Sequence, residues 1–142
     1  MTGTPARPQA ARVRSYRDLD VWKVAMELVL SCYRVANGLP GIERYGLASQ
    51  IRRASVSITA NIAEGHGRDY TGDYLRHVSI AKGSLTELET ELLIAQRLEY
   101  VTADTIQEAL QLAASVGKML RRLSERLSAR RTLNRRIPVP SP

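Results

Sequence analysis

Arg52 and Arg53 stand side by side in QIRRASVSITANIAEG (residues 50–65), a stretch in which Ile51, Ile58 and Ile62 fall at helical spacing. A guanidinium is a planar fork that matches phosphate oxygens, and neutralising phosphates releases counterions, so the pair is a candidate phosphate contact. Successive residues on a helix point about 100° apart, so the two cannot both face one core. The alternative is that one of them pairs with Glu64, Glu87 or Glu91 across a helix or subunit interface, as arginines in bundles usually do. Arg121 and Arg122 form a second adjacent pair with the same potential chemistry.

More arginine lies toward the ends. Residues 1–17 hold Arg7, Arg12, Arg14 and Arg17 without an acid, and residues 129–142 hold Arg130, Arg131, Arg135 and Arg136 without an acid. Residues 18–128 then carry 13 basic residues against all 14 acids, so the net charge of +7 belongs to the ends. Arginine-rich arms can follow phosphates without reading sequence; the plainer alternative is that they only keep the chain in solution.

The small polar residues of the quoted stretch, Ser55, Ser57, Thr59 and Asn61, let helix backbones approach closely and can hydrogen-bond across an interface. One face is expected to pack in a bundle and this second face to meet a neighbouring subunit; tight packing within one chain is the alternative. Gly83 costs roughly 1 kcal/mol relative to Ala inside a helix, which calls for close approach of another helix there. Ser84 and Glu87 also fit a capping box, which would instead break the helix.

Other chemistry finds little support. His66 and His77 lie in no Glu-x-x-His pair, and one cysteine, Cys32, gives no ligand cluster, so neither metal nor cofactor is expected. His66, beside Gly65 and Gly67, reads as a solvated turn residue. Glu87, Glu89 and Glu91 alternate on a helix and diverge, which suits a solvated or ion-paired face better than an acid–base pair. There is no phosphate-binding loop ending in Lys and no nucleophile elbow, so no enzyme is expected.

Four segments must position these residues. Leu19, Trp22, Met26, Val29 and Tyr33 define an apolar stripe on a helix over 18–37, capped by Asp18 or Asp20 and stopped by Asn37-Gly38. Leu47, Ile51, Ala54, Ile58 and Ile62 define a second over 46–64, closed by Gly65 and Gly67 in left-handed conformation. A third, over 72–98, carries an unbroken heptad seam from Tyr74 through Val78, Ala81, Leu85, Leu88 and Leu92 to Ala95. A fourth starts at Thr102-Ala-Asp104 and carries Ile106, Leu110, Ala113, Val116, Leu120, Leu123 and Leu127 to about residue 128. Short connections make neighbours antiparallel, so the fold expected is an all-α, up-down-up-down four-helix bundle over 16–128. Residues 1–15 and 129–142 are expected to be flexible basic arms. Cys32, beside the first stripe, reads as a small core residue.

One domain of 142 residues with 44% apolar content can bury a sizeable core. A single cysteine, an N-terminus without an apolar leader and the lack of a long apolar run point to a cytoplasmic protein outside the membrane.

YGL at 45–47, the stretch 50–65, AKGSLTELETELLIAQRLEY at 81–100 and KMLRRLSERL at 118–127 resemble a four-helix bundle family whose founding members are encoded in intervening sequences of bacterial large-subunit ribosomal RNA genes. NIAEG and GSLTELE are the most specific parts. The family is similar to the accessory variability determinant of diversity-generating retroelements, a basic homopentameric barrel that binds nucleic acid and a reverse transcriptase. The resemblance implies a homopentameric ring, and the small residues read above from their size and polarity, Ser55, Ser57, Thr59, Asn61 and Gly83, are then expected at its subunit contact. It also implies binding of nucleic acid, RNA or DNA; the residues that charge and position, rather than the resemblance, offer for it are Arg12, Arg14, Arg52, Arg53, Arg121, Arg122, Arg130, Arg131, Arg135 and Arg136. The rival expectation is an adaptor that presents a protein-binding surface, to a reverse transcriptase for example, with no nucleic-acid role.

Overall fold

The structure is a computed structural model that describes residues 12–136. Most of the expected N-terminal arm, with Arg7, and the last six residues lie outside the described residues. Four helices follow one another: α1 (Asp20–Asn37), α2 (Leu47–His66), α3 (Thr71–Arg97) and α4 (Ala103–Arg136), with short 3-10 turns at Tyr16–Asp18 and Gly41–Glu43. No strand occurs among the described residues. Each helix packs on its sequence neighbours, and α4 closes the bundle against α1.

The seams of α2, α3 and α4 are those the heptad spacing predicts. Ile51, Ile58, Ile62, Val78, Leu88, Leu92, Ile106, Val116 and Leu120 are fully buried, while Tyr74 and Leu110 are only partly covered. The stripe expected on α1 is displaced by about a third of a turn: Val21, Ala25, Leu28, Cys32 and Val35 face the core, whereas Met26 and Tyr33 are exposed. Both faces of α1 are apolar, and the smaller side chains win the core side because α2 comes close. Thr59 of α2 reaches the backbone carbonyl of Ala25.

Capping also differs from expectation. Neither Asp18 nor Asp20 caps α1, whose N-cap position is Leu19; Asp18 instead accepts the N–H groups of Arg14 and Ser15 and closes a capping box with Ser15 on the preceding turn. Those bonds hold its carboxyl below the usual carboxylate range. No glycine has a positive φ among the described residues, so Gly65 and Gly67 do not end α2 by a left-handed turn. The left-handed residue is Glu99, at φ 58°, after α3. There Tyr100 N–H reaches Ala95 O and Glu99 N–H reaches Gln96 O, the two bonds of a Schellman motif that turns the chain into α4.

The largest departure is at the C-terminal end. Residues 129–136, expected as a flexible arm, continue α4 as helix. Ala, Arg and Leu are strong helix formers and Pro138 is the first residue that cannot continue the ladder, so composition near a proline misled the boundary. At 34 residues α4 is about 50 Å long, and its side chains from Ser128 to Arg135 do not enter the core.

Candidate nucleic-acid interface

The candidate arginines fall into two groups at opposite ends of the bundle, because Arg52 and Arg53 lie in the second turn of α2, whereas the others lie near the end of α4 or, for Arg12 and Arg14, just ahead of the start of α1. Arg52 is half-buried and engaged: its Nη2 donates to Asn37 Oδ1 at 2.9 Å and its guanidinium lies 5.7 Å from the centre of the Tyr33 ring. These contacts tie α2 to the end of α1 and leave Arg52 a bracing role within the chain. Arg53, the next residue, is exposed. Neither arginine pairs with Glu64, Glu87 or Glu91; among the described residues Arg34 pairs with Glu108 at 2.9 Å, and His77 Nδ1 lies 3.6 Å from a carboxyl oxygen of Glu64.

On α4 the arrangement is different. Residues 118–136 hold Lys118 and seven arginines against one acid, Glu125. Arg122, Arg126 and Arg130 recur every fourth residue, which places them on one face at steps of about 6 Å, and all three are exposed. Arg121, Arg131 and Arg135 are exposed on other sides of the same helix, and Arg136 is its last residue. Arg131 lies against Gly72 in the first turn of α3, where a Cβ would sit 3.5 Å from its guanidinium carbon. The charges of Arg126 and Arg130 also act on the Tyr74 hydroxyl, opposing the upward shift that burial imposes on it. Arg12 and Arg14 are exposed in the non-helical lead-in to the bundle. Arg126 was not among the candidates taken from the sequence, although its spacing from Arg122 and Arg130 was the signal.

The residues expected at a subunit contact are mostly spent inside the chain. Ser55 is fully buried and its hydroxyl donates to Arg52 O at 2.9 Å. Thr59, 7% exposed, donates to Ser55 O and Ala25 O between α2 and α1. Both are therefore corrected to intramolecular packing residues: their hydroxyls let helices approach and bond to backbone. Ser57 and Asn61 bridge α2 to α3. Ser57 Oγ lies 2.9 Å from Ser84 Oγ, Asn61 Nδ2 donates to Ser57 O, and Asn61 Oδ1 faces His77 Nδ1 at 3.0 Å. With the amide nitrogen so occupied, His77 Nδ1 is the donor of that pair. Gly83 meets nothing within 4 Å, so no helix of this chain explains it. The helix does not break there, and the capping-box alternative at Ser84 and Glu87 falls away.

Two residues read as solvated are covered. His66 ends α2 half-buried, with its ring edge-on to Tyr74 at 6.0 Å. Glu91 is 4% exposed and neither of its carboxyl oxygens has a hydrogen-bond partner. Cys32 is buried as expected, and desolvation with the charge of Glu91 pushes its thiol up to about 12. Among the described residues no three His, Cys, Asp or Glu side chains converge as metal ligands, and no helix is long and apolar enough to cross a membrane.

Comparison with known proteins agrees with this architecture. The model of the 23S rRNA-intervening sequence protein family matches residues 17–122. A crystal structure of a protein with unknown function from the S23 ribosomal protein family of Bacteroides thetaiotaomicron superposes with a TM-score of 0.68. It is 23% identical and covers 73% of this chain and 97% of its own, a likeness that speaks for the fold. No curated protein matches the sequence.

Proposed function

Because the chain belongs to the 23S rRNA-intervening sequence protein family, we propose that it is a non-enzymatic, RNA-associated accessory protein that holds nucleic-acid phosphates on the arginine face of α4. The observation that carries this reading is the continuation of α4 to Arg136, which sets Arg122, Arg126 and Arg130 in a row on a rigid element. Arginines fixed on a helix lose less freedom on binding than arginines on a loose arm, and guanidinium forks grip phosphate oxygens in pairs. Arg121, Arg131, Arg135, Arg136, Arg12 and Arg14 add to the positive field, and Arg53 supplies a lesser cation at the far end. Nothing in this arrangement reads bases, so RNA and DNA of any sequence are bound, with affinity falling steeply as salt rises.

In this reading the chain acts in the cytoplasm as a homo-oligomeric ring, a pentamer by resemblance to the accessory variability determinant. The outer faces of α2 and α3 meet between subunits, and Gly83, open in one chain, receives the neighbouring helix. A reverse transcriptase is the partner that the same resemblance suggests.

A second reading is favoured by one observation: Met26, Leu30 and Tyr33 expose an apolar stripe on α1, 38%, 58% and 39% accessible. That stripe suits an adaptor that docks a protein and has no nucleic-acid role. The two separate on binding of fluorescent single-stranded RNA and duplex DNA, with mass by light scattering on the same samples. Salt-sensitive binding to both nucleic acids supports the first; no binding at low salt, with a protein partner captured despite nuclease, supports the second.

A further inference from the structure

Glu91 is a carboxyl group taken out of water without the partners that burial normally requires. It sits on α3 between Leu88 and Leu92, both fully buried, and both of its oxygens lack a hydrogen bond. The titratable and charged groups acting on it are few: the Cys32 thiol from α1, the Arg53 guanidinium from α2 and the Glu87 carboxyl one turn earlier on α3. The fourth helix meets α3 on another flank, where Gly117 packs on Leu85, about 120° round the helix from Glu91. So the site offers a thiol, a like charge and a single cation, and that cation is on an exposed side chain.

A neutral carboxylic acid is tolerable in such a place and an unpaired carboxylate is not. Burial first, then the neighbouring Glu87 carboxyl, push Glu91 up to about 7, against the pull of Arg53. We propose that Glu91 is a proton-operated latch: as the neutral acid it stays tucked beside Cys32 among α1, α2 and α3, and as the carboxylate it leaves the core toward Arg53, loosening α3 against its neighbours. The latch stands independently of nucleic-acid binding. It gives the bundle a looser and a tighter form on either side of neutrality.

The sign follows from linkage. The folded chain keeps a proton up to about pH 7 that the unfolded chain releases near 4.5, so the stabilisation is complete below the lower value. It is lost as pH rises toward the upper one, by up to about tenfold in the unfolding constant per pH unit. The test is urea unfolding of the full chain across that window, with Glu91→Gln beside it. The native chain is expected to lose roughly eightyfold of folding constant between the two values through this group, and Glu91→Gln, which cannot ionise, to lack that loss. Equal pH slopes in the two proteins would overturn the proposal. Should Glu91→Gln not fold, the carboxyl carbon resonance of Glu91 in the native chain decides. A midpoint near neutrality, moved higher by Arg53→Gln, supports the latch; a midpoint near 4.5, or one indifferent to Arg53→Gln, refutes it.

Discussion

Gly65 on α2 and His77 on α3 pack so closely that a Cβ on Gly65 would lie 2.9 Å from the Cβ of His77 and 3.0 Å from Tyr74 Cδ1. Gly83, in the middle of α3, is the opposite case, because a Cβ there would meet nothing within 4 Å. The two glycines therefore answer differently to alanine. Gly65→Ala forces α2 from α3 and is expected to cost about 1–3 kcal/mol. Gly83→Ala, in open space inside a helix, is expected to stabilise the single chain by about 0.5–1 kcal/mol. Urea unfolding measures both. If Gly83 receives a neighbouring subunit, its alanine variant also loses mass in light scattering, whereas unchanged mass places the contact elsewhere.

Glu99 holds a left-handed backbone at φ 58° in the Schellman turn between α3 and α4, a conformation glycine adopts without cost. Glu99→Gly is expected to raise stability by about 1 kcal/mol, read as a higher urea midpoint with an unchanged slope. A lower midpoint would mean that the Glu99 side chain contributes more than its backbone costs.

Cys32 is fully buried, and its thiol is pushed up to about 12. Because the thiolate is the reactive form, alkylation at about pH 8 is expected to be at least about a hundredfold slower in the folded chain than in urea. Comparable rates in the two states would show that α1 opens readily from the core.

Much of the fold was legible because α2, α3 and α4 each carry one continuous apolar stripe; the large apolar residues left outside it, Val56, Ile80, Leu93, Ile94 and Leu133, do not line up as a second stripe of that length, so one rotation of each helix buries the most. On α1 two stripes compete at the same three-and-four spacing, that of Trp22, Met26 and Tyr33 and that of Val21, Ala25, Leu28 and Cys32, and close packing of α2 at Ala25 selects the smaller set. The end of α4 was misplaced because arginine is a strong helix former that also signals a solvated arm, and local sequence does not separate the two. The candidate site was less legible still. Ser55 and Thr59 have the same size and polarity whether they face a partner or their own core. Glu91 follows the alternation of Glu87 and Glu89, and only the rotation of α3 reveals that it points inward.

Phosphate binding by the row Arg122, Arg126 and Arg130 is measured most directly as single-stranded RNA binding by fluorescence polarisation across a salt series. The full chain is compared with a variant carrying Arg122→Gln, Arg126→Gln and Arg130→Gln. Losing three phosphate contacts is expected to make the slope of log affinity against log salt shallower by about 2, with weaker binding at every salt concentration. An unchanged slope and affinity in a folded variant would contradict the account and remove α4 as the binding face.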